Sequence, residues 1–179
     1  MLWVERCLVS TLVLLTVGLA IGCSGGPAEF RRHHDAGLRL AEQGRFEDAI
    51  AKYDEAIRLN PQYAASYHDR GSAYQQLGQL ERAIQDYDEA IRINSQYTNA
   101  YYHRGVAYSG LGQHERAIED FDKAVGIYPR FPLAYENRAI AYTFLGQDQE
   151  SQQDVDRAVE LGSDRAELEK ALEEARQQR

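Results

Sequence analysis

The chain has 179 residues, of which 44% are hydrophobic and 27% are charged, and its net charge is −8 at pH 7. This composition excludes an intrinsically disordered chain, and the length predicts one domain with a substantial core. The acidic balance argues against nucleic acid as a ligand, because Lys and Arg contacts to phosphates dominate that kind of affinity.

The first residues have the pattern of a targeting signal. Residues 8–22 (LVSTLVLLTVGLAIG) carry no charge, and Arg6 places one positive charge before them. A helix of this length rises about 22 Å, which is short of the ~30 Å hydrocarbon core of a membrane. A short apolar run that ends in small residues predicts a signal peptide rather than a spanning helix.

The end of this run, Leu19-Ala20-Ile21-Gly22-Cys23, resembles the lipobox of bacterial lipoproteins. The resemblance implies that a signal peptide of residues 1–22 is cleaved, and that Cys23 carries the lipid, since two or three acyl chains anchor a protein stably. Residues 23–29 would then be the lipidated cysteine and a flexible tether. The alternative is an uncleaved signal anchor with an incidental cysteine.

The same resemblance implies a location in the bacterial cell envelope. Ser24 follows the cysteine, and in Gram-negative family members Ser rather than Asp at this place favours the periplasmic side of the outer membrane. The choice between inner and outer membrane depends on the organism and stays open.

From residue 30 onward the chain repeats itself every 34 residues. Four units fit this step, at residues 30–63, 64–97, 98–131 and 132–165, and we number the positions of each unit from 1 to 34. A fixed period of this length is typical of stacked helix-turn-helix units. The recurring small residues are Gly37, Gly71 and Gly105 at position 8, Gly44, Gly78, Gly112 and Gly146 at position 15, and Ala49, Ala83 and Ala117 at position 20.

These units resemble the tetratricopeptide (TPR) family. That family has an aromatic residue at position 4, Gly at 8 and Tyr at 11 in helix A, followed by Ala at 20, an aromatic at 24, Ala at 27 and Pro at 32 in helix B. Unit 3 matches at every one of these positions, with Tyr101, Gly105, Tyr108, Ala117, Phe121, Ala124 and Pro129. The resemblance implies an all-α fold, a right-handed α-solenoid of four TPR helix-turn-helix units.

The small residues also predict how the helices meet. A glycine inside a helix costs about 1 kcal/mol relative to alanine, so glycine at position 8 predicts a close helix approach, which we place against the alanine at position 20. Glycine at position 15 is predicted to end helix A in the left-handed conformation.

The last residues predict a C-terminal capping helix at residues 164–179. Asp164 and Glu167 have the spacing of a capping pair at a helix start. A single apolar stripe follows, which gives the helix one face for the stack and one face for water. Its members are Leu168, Ala171, Leu172 and Ala175.

Charged residues recur in the repeat as well. Three arginines at position 7 and three aspartates at position 23 suggest a ladder of ion pairs between helices A and B of the same unit. The pairs would be Arg70 with Asp86, Arg104 with Asp120, and Arg138 with Asp154. We interpret a second series of aspartates at position 25 as a solvated face: Asp54, Asp88, Asp122 and Asp156.

The sequence contains no pattern for catalysis or cofactor binding, such as a P-loop, an HExxH motif or a CxxC motif. It therefore predicts a protein that is not an enzyme and that has no cofactor and no metal. His34, His68 and His103 fall on one predicted face, so a metal site there is an alternative. Histidines that form local hydrogen bonds are favoured, because no Cys or carboxylate ligand pattern accompanies them.

The resemblance further implies that the stack curves and that helix A positions 2, 5, 6, 9, 12 and 13 line its concave side. Such a groove suits an extended peptide or an amphipathic helix. The predicted groove is polar in units 1 and 2 and more apolar in units 3 and 4. It comprises Arg31, His34, Asp35, His68, Asp69, Asn99, Tyr102, His103, Val106, Leu133, Asn137 and Ile140.

For Ile140 and the neighbouring groove position Phe144, the alternative is packing beneath the capping helix. The Lys/Asn/Arg clamp of chaperone-binding TPR proteins is absent, because the matching positions hold His34, Leu38, Asp69, Asn99 and His103.

Together these patterns predict a lipid-anchored TPR scaffold or adaptor that binds a protein or peptide partner in its groove and takes part in bacterial envelope assembly. One alternative is a structural TPR protein that associates with itself. A second is a metal protein or enzyme that uses the groove histidines. The partner and the oligomeric state stay open.

Overall fold

The computed structural model describes residues 27–179, and this part of the chain is entirely helical, without a strand. The predicted signal peptide and the lipidation site at Cys23 lie outside the described residues. Among the described helices, none combines the length and the apolar character that a membrane span requires. The helices are α1 (Pro27–Glu42), α2 (Phe46–Leu59), α3 (Ala64–Gln76), α4 (Leu80–Ile93), α5 (Thr98–Gly110), α6 (His114–Ile127), α7 (Pro132–Phe144), α8 (Asp148–Glu160) and α9 (Arg165–Gln178).

The first eight helices form four helix A–helix B pairs, one in each predicted unit. Each helix packs most extensively on its partner in the pair, and each helix B also packs on the helix A that follows. Successive A helices touch one another, whereas successive B helices of the described chain do not. The A helices (α1, α3, α5 and α7) therefore line the inner, concave side of the stack, and the predicted all-α repeat fold is confirmed.

Glycine ends helix A in every unit, as predicted. Gly44, Gly78, Gly112 and Gly146 have φ values between 72 and 75°. Residues that carry a Cβ atom rarely adopt this left-handed backbone conformation, so glycine is the residue that fits the turn between helices A and B.

The glycine at position 8 makes room for the aromatic ring at position 24, and in unit 2 it also lies against position 20, the predicted partner. A Cβ atom on Gly105 would lie 2.7 Å from the ring of Phe121, and one on Gly37 would lie 2.5 Å from the ring of Tyr53. The close approach is thus between helix A backbone and the position 24 ring. In unit 2 the carbonyl oxygen of Ala83, at position 20, would lie 3.2 Å from a Cβ atom on Gly71.

Ion pairs connect helices both within a unit and between units. The predicted ladder is confirmed: Arg104 donates from Nε and Nη2 to the Asp120 carboxylate at 2.8 and 2.6 Å, and units 2 and 4 repeat this geometry. The same arginine also donates through Nη1 to Asp88 of the preceding unit. Although burial acts in the opposite direction, these hydrogen bonds raise the pKa of Arg104, so the guanidinium stays charged.

The position 25 aspartates are therefore more than a solvated face. They remain about half exposed, but each accepts a hydrogen bond from an arginine of the next element, because the stacking brings that arginine within reach. The pairs are Asp54 with Arg70, Asp88 with Arg104, Asp122 with Arg138, and Asp156 with Arg165.

The start of α1 corrects the predicted tether. The sequence predicts a flexible tether at residues 23–29, but α1 already begins at Pro27. Proline needs no hydrogen-bond partner in the first turn of a helix, and Glu29 places a negative charge near the positive helix end.

The C-terminal helix α9 has the predicted capping form. Asp164 accepts hydrogen bonds from the backbone N–H groups of Ala166 and Glu167 at 2.8 and 3.1 Å. Leu168 and Leu172 are buried and join a cluster with Val155 of unit 4. The helix packs mainly on α7 and less on α8, so it covers the end of the inner layer.

Candidate functional site

A carboxylate on the concave face is held by two histidines. His34 of α1 and His68 of α3 each form a hydrogen bond of 2.8 Å with Asp69, through Nε2 and Nδ1 respectively. Burial alone would raise the pKa of Asp69, but these two hydrogen bonds hold it at about 2. Asp69 is therefore an ionised group on the inner face, where units 1 and 2 meet.

The two histidines themselves are covered by tyrosines at position 34. His34 is 6% exposed and packs against Tyr63, with ring centroids 5.2 Å apart. His68 is 8% exposed and packs against Tyr97 at 5.1 Å. Both histidines are thus buried, and they hold the Asp69 carboxylate through hydrogen bonds rather than contact solvent themselves.

His103 of α5 continues this row into unit 3 as a neutral side chain. Its ring lies 5.1 Å from that of His68, whose Nε2 atom is buried without a hydrogen-bond partner. Burial and the neighbouring His68 lower the pKa of His103 to about 4, against the smaller opposing effect of Asp69. At neutral pH the middle of the groove therefore carries no charge from this residue.

Hydrogen bonds and ring contacts around Tyr102 join units 3 and 4. The Asn137 side chain donates to the Tyr102 hydroxyl at 3.2 Å and to the Leu133 carbonyl at 2.9 Å. The ring of Tyr102 packs on Phe131, with centroids 4.9 Å apart, and Leu133 is 46% exposed. The amide of Asn137 therefore connects α7 to the phenol of Tyr102 on α5, and the exposed Leu133 lies one turn before Asn137 on α7.

The predicted groove residues therefore differ in how much surface they offer. Arg31, Asp35, Asn99 and Leu133 are exposed, Asp69, Tyr102, His103, Val106, Asn137 and Ile140 are half-buried, and His34 and His68 are buried. Ile140 packs against the cluster that contains Leu168 and Leu172, so the capping helix covers part of it. Within residues 27–179, no group of three or more His, Cys, Asp or Glu side chains is placed to hold a metal ion.

A cleft beside the groove was not predicted from the sequence. It has a volume of about 360 Å³ and lies where α4 leads into α5 and α6 leads into α7. Three aromatic and three polar, uncharged side chains line it: Tyr97, Tyr128, Phe131, Gln96, Thr98 and Asn99. The signal in the sequence is Tyr128, because asparagine occupies the same position in units 1 and 2.

Comparison with known families matches three segments of the chain. A TPR repeat matches residues 37–78 and 71–112, and the tetratricopeptide repeat matches residues 98–131. These segments together span just over half of the chain. No curated protein sequence matches it.

Solved structures include several similar helical repeats. Two structures of MamA are 29% and 30% identical, with TM-scores of 0.72 and 0.70; they cover 77% and 75% of this chain, which covers 81% and 74% of theirs. The first TPR of Spaghetti (RPAP3), bound to the HSP90 peptide SRMEEVD, is 25% identical with a TM-score of 0.67. That match covers 70% of this chain and 99% of the Spaghetti domain.

Proposed function

Because the chain belongs to the tetratricopeptide repeat family, we propose that it is a membrane-anchored scaffold that binds a protein or peptide partner on its concave face. The repeat fold is typical of protein–protein interaction scaffolds. The Spaghetti domain, which has this fold, binds an HSP90 peptide. The observation that carries the proposal is the uncharged surface of Tyr102, His103 and Leu133 on the A-helix layer. Helical and extended peptides bind by placing apolar side chains on such a surface, and the flanking polar groups form hydrogen bonds with them.

The charge on the concave face indicates which peptides fit. The HSP90 peptide held by Spaghetti is rich in acidic residues. In this chain, the ionised Asp69 lies on the inner face, and the positions of the chaperone-binding clamp provide no lysine or arginine. An acidic C-terminal peptide would be repelled here, so we expect a neutral or basic partner segment.

The anchoring part of the proposal is supported by the lipobox-like sequence that ends at Cys23. Lipid on this cysteine would hold the repeat domain at a bacterial envelope membrane, where a scaffold contributes to envelope assembly. The short stretch before α1 would keep the concave face within a few tens of ångströms of the membrane surface.

The groove is tested by site-specific photocrosslinking of the full-length chain in its native membrane. A photoreactive residue at Val106, on the inner face of α5, is expected to capture the partner. The same residue at Glu119, which is exposed on α6 of the same unit, is the control and should capture little. The double substitution Tyr102→Ala/Leu133→Ala should reduce capture from position 106 about tenfold or more. Equal capture from both positions, or capture that the double substitution leaves unchanged, would contradict binding on the concave face.

The anchor is tested separately with labelled fatty acid. The natural chain should incorporate the label and fractionate with membranes. The Cys23→Ser variant should incorporate less label, and a smaller fraction of it should be found with membranes. Absence of label from the natural chain would remove the lipid anchor from the proposal without affecting the groove.

A further inference from the structure

The cleft beside the groove differs from the equivalent places in the repeat. In units 1 and 2, Asn60 and Asn94 accept hydrogen bonds from the backbone N–H two residues later, at 3.1 and 3.0 Å. This local bond stabilises the turn between helix B and the next helix A. In unit 3 the corresponding residue is Tyr128, which cannot make the bond and is 52% exposed. Tyrosine in place of asparagine removes a hydrogen bond that stabilises the turn and leaves a large aromatic ring at the surface. A residue that weakens the local fold but exposes an aromatic ring is typical of a binding site.

The lining of the cleft indicates the chemistry of its occupant. Tyr97, Tyr128 and Phe131 provide flat aromatic faces, with the last two rings 6.2 Å apart and inclined by 43°. The remaining lining residues can donate hydrogen bonds through two amides and a hydroxyl, and none of the six side chains is charged. An occupant should therefore be neutral, should offer flat apolar surface, and should bring carbonyl groups that need donors.

A proline-rich segment meets these three requirements. In the polyproline II conformation its carbonyls have no internal partners, its rings pack on aromatic faces, and the segment loses little conformational entropy on binding. The half-exposed Tyr128 leaves the cleft open at the surface. An open cleft suits the ridge of an extended chain better than a single side chain that must be fully enclosed.

The cleft is also continuous with the concave face. Phe131 forms one wall of the cleft and packs on the groove residue Tyr102, and Asn99 belongs both to the cleft and to the predicted groove. An extended partner could therefore occupy the groove in units 3 and 4 and pass over the edge into the cleft.

We propose that this cleft binds a proline-containing, uncharged segment of the partner in the polyproline II conformation. The inference rests on the proposed function, because it treats the cleft as an extension of the concave binding face. Tyr128 is then the residue that gives this end of the surface its specificity.

The test uses the full-length chain in detergent micelles and a fluorescent peptide of consecutive prolines flanked by neutral residues. Fluorescence anisotropy measures its affinity, and a photoreactive group on the peptide reports the contact site by mass spectrometry. The natural chain should bind the peptide and crosslink within residues 96–99 or 128–131. Tyr128→Asn restores the residue of the other units, so it should fold normally and weaken binding about fivefold or more, the loss expected for one aromatic contact. Lys123→Asn, an exposed position on α6 away from the cleft and the concave face, is the control and should bind like the natural chain.

A second peptide, with every proline replaced by alanine, separates proline recognition from general stickiness. It should bind at least about fivefold more weakly, because it lacks both the rings and the preformed conformation. Equal binding of the two peptides, equal binding by Tyr128→Asn, or crosslinks outside the cleft would each overturn the inference.

Partner capture separates this inference from the proposed function. Loss of capture in Tyr102→Ala/Leu133→Ala together with full capture in Tyr128→Asn would overturn the role of the cleft alone. Capture unaffected by the double substitution would instead contradict the proposed groove.

Discussion

Within each of the first three units, one glycine on helix A faces one aromatic ring on helix B. The ring of Tyr53, Tyr87 or Phe121 occupies the space that a Cβ at position 8 would need. Unit 4 shows the opposite combination, since Ala139 stands at position 8 and the smaller Val155 at position 24, and both are fully buried. The two positions thus change together, and the volume of the pair sets how closely the helices approach.

Substitution of this glycine should therefore destabilise the domain. Gly105→Ala would place a methyl group 2.7 Å from the Phe121 ring, and we expect a loss of about 1–3 kcal/mol in the free energy of unfolding, measured with urea and circular dichroism. Gly126→Ala is the matched control in α6, where nothing lies within 4 Å of the added Cβ. That change should be neutral or stabilising by up to about 1 kcal/mol, because alanine is the better helix former. Equal stability of the two variants would contradict the role of glycine at position 8.

His103 makes the stability of the domain depend on pH. The groups that face it are His68 and Asp69 from α3, Tyr87 from α4, and Tyr102 from its own helix. Because its pKa is lowered to about 4 in the folded chain, the unfolded chain binds this proton more readily between pH 6.5 and 4. The free energy of unfolding is therefore unaffected by this group above about pH 7 and falls as the pH drops from 6.5 toward 4, by about 3 kcal/mol.

The variant His103→Asn isolates this contribution. Asparagine occupies the same unit position at Asn137, so the fold should tolerate it. The difference in unfolding free energy between the natural chain and the variant should change between pH 6.5 and 4 and be constant above pH 7. A pH-independent difference would show that His103 does not titrate as described.

At the scale of the helix, arginine at position 7 connects three elements rather than two. Arg104 joins α5 to α6 of its own unit and to α4 of the preceding one, and its side chain is only 19% exposed. The Arg70 and Arg138 pairs repeat the arrangement, and Arg165 of α9 extends it to Asp156. These contacts fix the distance between units, so the concave face is largely preformed before a partner binds.

Removal of one such arginine should cost far more than removal of a surface ion pair. Arg104→Met would leave the Asp120 carboxylate, 5% exposed, buried without its cation, and we expect a loss of about 3–5 kcal/mol. Arg92→Met is the control, since its pair with Glu89 is exposed within one helix and should contribute less than about 0.5 kcal/mol. Urea unfolding measures both variants, and similar values for the two would contradict a structural role for the ladder.

The sequence predicted the elements well because each depends on local or intra-unit signals. The left-handed glycines, the Asp164 cap and the Arg–Asp pairs within a unit all follow from the spacing of residues along the chain. The remaining features depend on how units stack. The repeat alone does not reveal that Arg70 reaches Asp54, that Tyr63 and Tyr97 cover the histidines, or that Tyr128 and Phe131 form a cleft with the preceding turn.

At the scale of the whole molecule, the units form a nearly one-dimensional stack. Within residues 27–179, each unit packs only on the elements next to it, so its stability depends on its own interior and on its interfaces with them. Unit 4 has one unit neighbour, and the capping helix α9 supplies the second interface through the cluster of Leu168, Leu172 and Val155. Damage to this cap should therefore affect the end of the stack before the groove of units 2 and 3.

This locality can be tested with Leu172→Ser. Leu172 is 2% exposed, so the substitution places a hydroxyl in the apolar cluster and should cost about 2–4 kcal/mol at this interface. In hydrogen exchange, the amides of α7, α8 and α9 should lose protection, whereas those of α3 and α4 should keep it, because their own contacts are unchanged. Lys170→Ser, exposed on the same helix, is the control and should leave all regions protected. An equal loss of protection from α3 to α9 would mean that the units unfold as one block. The concave surface around Tyr102 and His103 would then depend on the cap as much as on its own unit.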